Sequence, residues 1–439
     1  MGVIKFSGKM GPNSLKAKPR YVSGEIKNPA GGPPIHVTTN PATNLTSDSA
    51  TLNGTVNPNY FTTNIFFNWG TTIAYGNTTP IRNIGNGHAD LAVFAILNML
   101  LMPNTTYHFQ IVAINIHGTT TGADLTFTTP LSLVRLGSLA TGNPLIGAAM
   151  IGTRIYSGIV NSNPSQMLEV DTSTFAAFTL SGLSTKTRFP NALIHGKIGG
   201  VDYVALIGTD SSLPVNLICI DFWDHTTLAY LGFWGGFGGV GSPAAVVSFE
   251  YDPVGDFFYI GNTADVCTQI QGNAIIASLT GGGAQVIDNV NNHMFNAPWA
   301  LVVASEYTAN GGAFIGNVNG FGPTNSFAQD ANYAYFGATA TKIIRRINLT
   351  TLVVDGLVTS FIPVCMAIDP IRGYLYYGDN SNPVNLVAVN TLTFTESQIL
   401  PLNAGENGLN GYQSLVVDPT GHLLYAMTNA GIIVKIQLN

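Results

Sequence analysis

Charge is scarce in this chain. Of its 439 residues only 9% are Asp, Glu, Lys or Arg, against about 25% in an average soluble domain. Asn, Thr, Ser and Gly fill the vacated positions, a surface that hydrogen-bonds without ions and forms dense protein contacts with few charges to desolvate. Cysteine is scarcer still. Cys219, Cys267 and Cys365 are too few and too scattered for a disulfide framework or a zinc site, and Cys219 and Cys365 read as small core residues inside apolar runs. Long apolar runs are missing too. The run Leu91 to Met102 is interrupted by Asn98 and stops at Pro103, short of the ~20 residues of a membrane helix. A buried strand pair is expected there, and no membrane insertion. The opening MGVIKFSGKMGPNSLKAKPR holds neither the apolar stretch nor the cleavage site of a secretory signal. Phe6 stands where lipidation of Gly2 would want Ser or Thr. Synthesis and folding in a reducing cytoplasm follow as the expectation.

Catalytic signatures are also missing. No G-x-S-x-G, H-E-x-x-H or phosphate-cradling glycine loop is found. The eight histidines stand singly, none at metal-ligand spacing, and His225 and His422 read as surface or turn groups. Asp379-Asn380-Ser381-Asn382 and Asp288-Asn289-Val290-Asn291-Asn292 present oxygen atoms but one carboxylate each, without EF-hand spacing. Both read as loops. The expectation is a non-enzyme without cofactor or bound metal.

What the chain does have is repetition. Asp252-Pro253-Val254-Gly255, Asp369-Pro370-Ile371-Arg372-Gly373 and Asp418-Pro419-Thr420-Gly421 each precede an aromatic-aliphatic strand. A second phrase recurs as Val170-Asp171-Thr172-Ser173-Thr174-Phe175, Ile220-Asp221, Ile347-Asn348-Leu349-Thr350-Thr351-Leu352 and Val389-Asn390-Thr391-Leu392-Thr393-Phe394. Asp369 to Asp418 is 49 residues and Asp171 to Asp221 is 50, a period that with several short strands per unit means a propeller. Pro fixes φ, Asp caps the turn and Gly accepts positive φ, so the first phrase joins adjacent strands of one blade. These two phrases resemble NHL- or YVTN-like propellers, over residues 131–439. Six blades are favoured, with seven reached if 297–356 holds a second, degenerate unit. The last unit supplies three strands, and Leu131–Leu139 is the expected fourth. Trp-Asp occurs once, as Trp223-Asp224, rather than once per blade.

Residues 36–130 alternate short β-branched and aromatic runs with turn clusters, the pattern of an antiparallel sandwich. In Thr106–Asn115, Tyr107, Phe109, Ile111 and Ala113 share one face by the period of two. The corner Leu101-Met102-Pro103-Asn104-Thr105-Thr106-Tyr107, with Ala113-Ile114-Asn115, Ser49–Gly54 and Tyr75-Gly76, resembles the bacterial and phage type of fibronectin type III module. That resemblance implies a spacer or generic binder. Trp69 is expected in its core.

Residues 1–35 form the remaining part, a basic arm with a Gly/Pro linker. Residues 1–30 hold Lys5, Lys9, Lys16, Lys18, Arg20 and Lys27 against Glu25 alone, hence +5. With a net charge of −6 for the whole, the rest carries −11. An extended segment docked on an acidic partner is expected, with Val3-Ile4-Lys5-Phe6 adding strands to it. The bases are too dispersed for a nucleic-acid site. Two stretches are candidate ligand loops: Phe233, Trp234 and Phe237 among glycines, and an insertion from Tyr307 to Gln329 carrying Phe314, Phe321 and Phe327.

An all-β chain with extracellular-style modules but no secretory signal suits a virion protein, which folds in the host cytoplasm and meets the outside after lysis. The expectation is a multicopy phage protein: a capsid decoration, head fibre or tail-associated part. Its arm would dock on other virion structural proteins, and its propeller would bind a host-surface glycan or protein. A bacterial surface adhesin or filament component, and a polysaccharide-acting propeller enzyme, are the alternatives.

Overall fold

The computed structural model describes residues 32–438 except 99, 160–163, 165, 182–187, 199–200, 211–216, 238–245, 253, 255–256, 263–265, 272–273, 281–284, 289–292, 297–302, 309–313, 320–323, 339–340, 410–413, 419 and 421. The basic arm, with Val3, Ile4, Lys5, Phe6, Lys9, Lys16, Lys18, Arg20 and Lys27, lies outside the described residues. Among the described residues every regular element is a strand. They fall into two compact units: the first holds residues up to Leu45, Ser49–Leu100 and Thr106–Thr128, and the second holds Thr46–Asp48, Leu101–Thr105 and the chain from Thr129 on.

The first unit pairs two antiparallel sheets. Its strands are β1 (Ile35–Thr43), β2 (Ala50–Asn57), β3 (Asn64–Gly70), β4 (Asn77–Thr78), β5 (Arg82–Asn83), β6 (Leu91–Leu97), β7 (Thr106–Asn115), β8 (Gly118–Thr121) and β9 (Leu125–Thr128). One sheet runs β1-β2-β6 and the other β4-β3-β7-β8, with β5 beside β3 and β9 beside β7. The alternation read from sequence sets the core: Tyr107, Phe109, Ile111 and Ala113 of β7 are buried, as are Ile65, Phe67 and Trp69 of β3. Trp69 stands 6.0 Å from the Tyr107 ring, inside the core rather than on the surface. Within the run Leu91–Met102 the described strand is β6, Leu91–Leu97, rather than a buried pair. It edges its sheet, so Val93 and Leu97 face the core while Phe94 and Ile96 are 51% and 63% exposed. Arg82 lies over Phe94, 5.7 Å from the ring centre, and covers part of that apolar face.

The second unit is a propeller of seven four-stranded antiparallel sheets among the described residues. Its first strand, β10 (Leu133–Ala140), belongs to the last blade. Blade 1 is β11 (Leu145–Ile151), β12 (Arg154–Ile159), β13 (Met167–Asp171) and β14 (Phe178–Leu180). Blade 2 is β15 (Arg188–Ile198), β16 (Val201–Asp210), β17 (Leu217–Asp224) and β18 (Tyr230–Phe237). Blade 3 is β19 (Val246–Asp252), β20 (Phe257–Asn262), β21 (Val266–Gln271) and β22 (Ala274–Thr280). Blade 4 is β23 (Gln285–Asp288), β24 (His293–Asn296), β25 (Val303–Thr308) and β26 (Phe314–Asn319). Blade 5 is β27 (Thr324–Gln329), β28 (Tyr333–Ala338), β29 (Ile343–Asn348) and β30 (Val354–Val358). Blade 6 is β31 (Cys365–Asp369), β32 (Tyr374–Gly378), β33 (Asn385–Asn390) and β34 (Thr395–Pro401). Blade 7 is β35 (Leu415–Asp418), β36 (Leu423–Met427) and β37 (Ile432–Leu438), completed by β10.

Seven blades replace the favoured six. In the supposed insertion from Tyr307 to Gln329 the described residues are strand: they end blade 4 and begin blade 5, both of which lack the Asp-Pro phrase that marks other blades. The first strands β11, β15, β19, β23, β27, β31 and β35 each approach the next, and β35 approaches β11, which closes the ring. Closure is made by β10 running antiparallel to β37, from Leu133 opposite Leu438 to Ala140 opposite Ile432. β10 thereby covers the β37 edge and becomes the outermost strand of blade 7.

Both repeated phrases are turns with a mechanism. Oδ1 of Asp369 accepts the amides of Ile371 and Arg372, each at 3.1 Å, and Gly373 takes φ +70°. In the copy at Asp418 the same position is held by His422, with φ 57°. The second phrase closes the third strand of blades 1, 2, 5 and 6. Oδ1 of Asp171, Asp224, Asn348 and Asn390 accepts the amide two residues on, at 2.8–3.0 Å. In the last three it also accepts the amide three residues on, at 2.7–3.0 Å. The copy in blade 2 is Asp224, not Asp221 as the Ile220-Asp221 spacing suggested. Asp221 is buried inside β17 and accepts the Tyr230 hydroxyl at 2.6 Å.

Four residues after each of these turn acceptors comes a non-glycine residue at positive φ: Phe175, Leu228, Leu352 and Phe394. That conformation costs about 1–2 kcal/mol. Packing offsets it, because each such residue meets an aromatic of the second strand of the preceding blade. Phe175 lies 5.8 Å from Tyr425, Phe394 lies 6.3 Å from Tyr335, Leu228 packs with Tyr156, and Leu352 packs with Phe295. The turn phrase is therefore an inter-blade plug.

Candidate functional site

The Phe233–Phe237 stretch is not a loop. It belongs to β18, the outermost strand of blade 2. Two irregularities bend that strand. Gly232 pairs with Phe222 while Tyr230 pairs with Trp223, so Leu231 is an extra residue. A second shift separates the pairs Cys219–Gly235 and Ile218–Phe237. Bulges blunt an edge strand and re-aim its side chains. The first depends on Gly232, whose φ of +138° suits glycine alone, and a Cβ there would meet nothing within 4 Å.

Under this bulge lies an open-sided pocket of about 260 Å³, lined by Tyr203, Phe222, Leu231, Gly232, Phe233 and Trp234. Tyr203 comes from β16 and Phe222 from β17, so three neighbouring strands build it. Leu231 and Phe233 are 50% and 41% exposed. Trp234 is held edge-to-face against Phe222, with centroids 4.9 Å apart, and against Phe258 of blade 3 at 5.6 Å. Tyr203 meets Phe222 in the same manner at 6.1 Å. Such contacts add to burial and fix ring orientation. The lining offers aromatic faces, a phenol and an indole N–H, but no carboxylate, imidazole or thiol.

The structure brings together Phe233 and Trp234 of the expected ligand residues, and adds Tyr203, Phe222 and Leu231, which the sequence reading missed. Their signal was weak: Tyr203 and Phe222 look like any inward strand residue until pairing sets them side by side. Phe237 ends the same strand, beyond the second bulge. Tyr307 lies in β25 and Phe314 in β26, the third and fourth strands of blade 4, and Phe321 lies outside the described residues. Phe327 packs partly buried against Phe295 and Phe336 rather than on a free loop. No second ligand loop forms among the described residues of that segment.

Of the two oxygen-rich clusters, Asp288–Asn292 extends beyond the described residues, and Asp379–Asn382 is occupied by the fold itself. Oδ1 of Asp379 accepts the Ser381 hydroxyl at 2.7 Å and the Asn385 amide at 2.8 Å, and its Oδ2 accepts the Asn385 side chain at 2.9 Å. That carboxylate is spent on its own turn. The His225 carbonyl accepts the Tyr156 hydroxyl, and its Nδ1 lies 3.1 Å from the Asp202 carbonyl. Among the described residues no three of His, Cys, Asp or Glu gather as metal ligands would. In the first unit the Asp124 carboxylate accepts the Tyr75 hydroxyl at 2.9 Å and meets His108 Nδ1 at 2.8 Å. Burial, with Asp124 beside it, pushes the Tyr75 phenol up to about 12. These bonds join the turn at Tyr75 and strand β7 to the residue just before β9.

The root of the arm is fixed. Three successive carbonyls accept side-chain donors of the first unit: Gly32 from Asn115 at 2.9 Å, Pro33 from Asn59 at 3.1 Å, and Pro34 from Thr120 at 2.7 Å.

No family model matches the chain, and no curated protein matches it. Among solved structures it is similar to the WD40 β-propeller domain of Doa1, at 11% identity and a TM-score of 0.53, over 70% of this chain and 97% of that one. At that identity the likeness speaks for the fold alone. The chain is an all-β protein with a propeller, and it reaches that shape without a Trp-Asp dipeptide in each blade.

Proposed function

We propose that this chain is a non-enzymatic structural and adhesion protein of a phage particle, a capsid decoration, head-fibre or tail-associated protein. In this reading the basic arm docks on other virion structural proteins and the propeller faces a host surface. The observation that carries it is the clamp on Gly32, Pro33 and Pro34. Two prolines and three donors fix the chain at the root of a segment of charge +5, a firm base that an anchoring element needs and an idle tail does not. The low charge of the body suits dense, multicopy packing.

Support for a fibronectin type III-like spacer is the sheet order β1-β2-β6 against β4-β3-β7-β8, together with the Leu101–Tyr107 corner. Support for binding without turnover is the blade 2 pocket, whose lining lacks an acid–base pair. The arm would recognise an acidic protein groove, and neither nucleic acid nor a membrane is needed.

The test is composition of purified particles. The full chain should copurify with them at a fixed copy number. A variant lacking residues 2–30 should stay folded and soluble yet be absent from particles. Incorporation of that variant at the full-length copy number would overturn anchoring by the arm. Release of oligosaccharides from host envelope material would overturn the non-enzyme reading.

A further inference from the structure

We propose that the pocket beneath the β18 bulge binds one ring of a neutral saccharide. This deepens the adhesion reading above and rests on it for biological meaning, though not for its measurement. Four observations carry it. The first is size: about 260 Å³ falls just below the roughly 300–1,000 Å³ of pockets for drug-sized ligands, so the occupant is a single ring rather than an extended chain. The second is charge. Tyr203, Phe222, Leu231, Gly232, Phe233 and Trp234 include no side chain charged near neutrality, so nothing pays for desolvating an ionic ligand.

The third is rigidity. Trp234 is locked between Phe222 and Phe258 by two edge-to-face contacts, so its ring is oriented before a ligand arrives and little entropy is lost on binding. An aromatic face held in place stacks on the C–H face of a pyranose, while the Tyr203 hydroxyl and the indole N–H stand ready for ring hydroxyls. The fourth is the bulge. The extra residue Leu231 and the open Gly232 clear the mouth, and any side chain at 232 would project into open space. A bulge maintained at a conformational cost, beside a preformed aromatic pocket, is a feature of a site rather than of packing.

The test uses the full chain and four neutral probes: methyl α-glucoside, methyl β-galactoside, N-acetylglucosamine and its β-1,4 dimer. Glucuronic acid serves as the charged control and N-acetylphenylalanine amide as the peptide control. Saturation-transfer NMR and indole fluorescence report binding. At least one neutral probe should saturate in the millimolar range, with transfer strongest at the ring C–H protons. Trp234→Ala should weaken it by roughly tenfold or more. Phe233→Ala, at a 41% exposed position and with its fold checked by circular dichroism, should weaken it several-fold and keeps the test valid if the first variant misfolds. Absence of saturation by every neutral probe overturns the proposal. So does preference for glucuronic acid or for the phenylalanine amide, and so does neutral-probe binding that both variants leave intact. Particle incorporation is a separate readout, so failure here leaves the anchoring test standing.

Discussion

At the scale of single residues, the four turn acceptors of the second repeated phrase divide into two carboxyls and two amides. Asp171 and Asp224 have carboxyls held below the usual range, the first chiefly by the Ser173 hydroxyl and amide, the second chiefly by the Thr227 amide and hydroxyl. A depressed carboxyl stabilises the fold above its unfolded value and loses that contribution as pH falls through the folded one. Asn348 and Asn390 make the same bonds without a proton to gain. The double variant Asp171→Asn, Asp224→Asn should therefore melt near the parent temperature at pH 7 and above it near pH 3, measured by circular dichroism. Arg346 is the other telling residue. It forks onto Asp355 at 3.0 and 2.6 Å, donates to the Thr391 carbonyl of blade 6, and stacks over Tyr333 and Phe394 at 4.4 and 4.1 Å. Asp355 is half-exposed, so its charge tolerates desertion, and Arg346→Ala should cost about 2–4 kcal/mol in urea unfolding. Arg346→Lys should recover only part of that, because a point charge replaces a planar fork.

At the scale of elements, β10 carries the clearest prediction. Leu131 and Leu133 are buried in the cluster that joins blades 6 and 7, and Arg135 forks onto the buried Glu406 that follows blade 6. Deleting Leu133–Ala140 should expose the β37 edge, lower the melting temperature and produce association that grows with concentration in light scattering. Leu133→Ala should cost about 2–4 kcal/mol without opening the ring. This strand was legible in the sequence because a three-stranded last unit leaves an obligatory gap. Blades 1, 2 and 6 were legible for a similar reason: their turns need Asp, Asn, Pro or Gly at set places. The boundary between blades 4 and 5 was not, since neither carries the Asp-Pro phrase and the strands on either side of it ran together as one apparent insertion, although Asn348 marked a turn of blade 5. The candidate site was half legible. Phe233 and Trp234 stood out as aromatics among glycines, but the glycine at 232 is a bulge rather than a loop. Tyr203 and Phe222 join it only through strand pairing, which no local pattern reveals.

At the scale of the whole propeller, four of the seven seams share one type of modest contact, an apolar residue at positive φ seated on the aromatic of the blade before. Lys435 adds one across the closure, 5.3 Å from the Phe175 ring and donating to the Thr172 carbonyl at 3.2 Å. Loss of one plug should loosen one seam. Phe394→Ala should raise amide exchange in blades 5 and 6 before global unfolding, while blades 1 and 2 keep their protection. The pairing of Leu133 with Leu438 has a consequence for manufacture. During synthesis β10 emerges from the ribosome before any blade and waits about 300 residues for its neighbour, an entropic delay that grows only slowly with length. A chain that stops short of Ile432 carries an unmatched first strand and an open seventh sheet. The clasp thus ties closure of the ring to completion of the chain: only a product translated through its last strand can shut, and prematurely ended copies should be sticky and protease-sensitive.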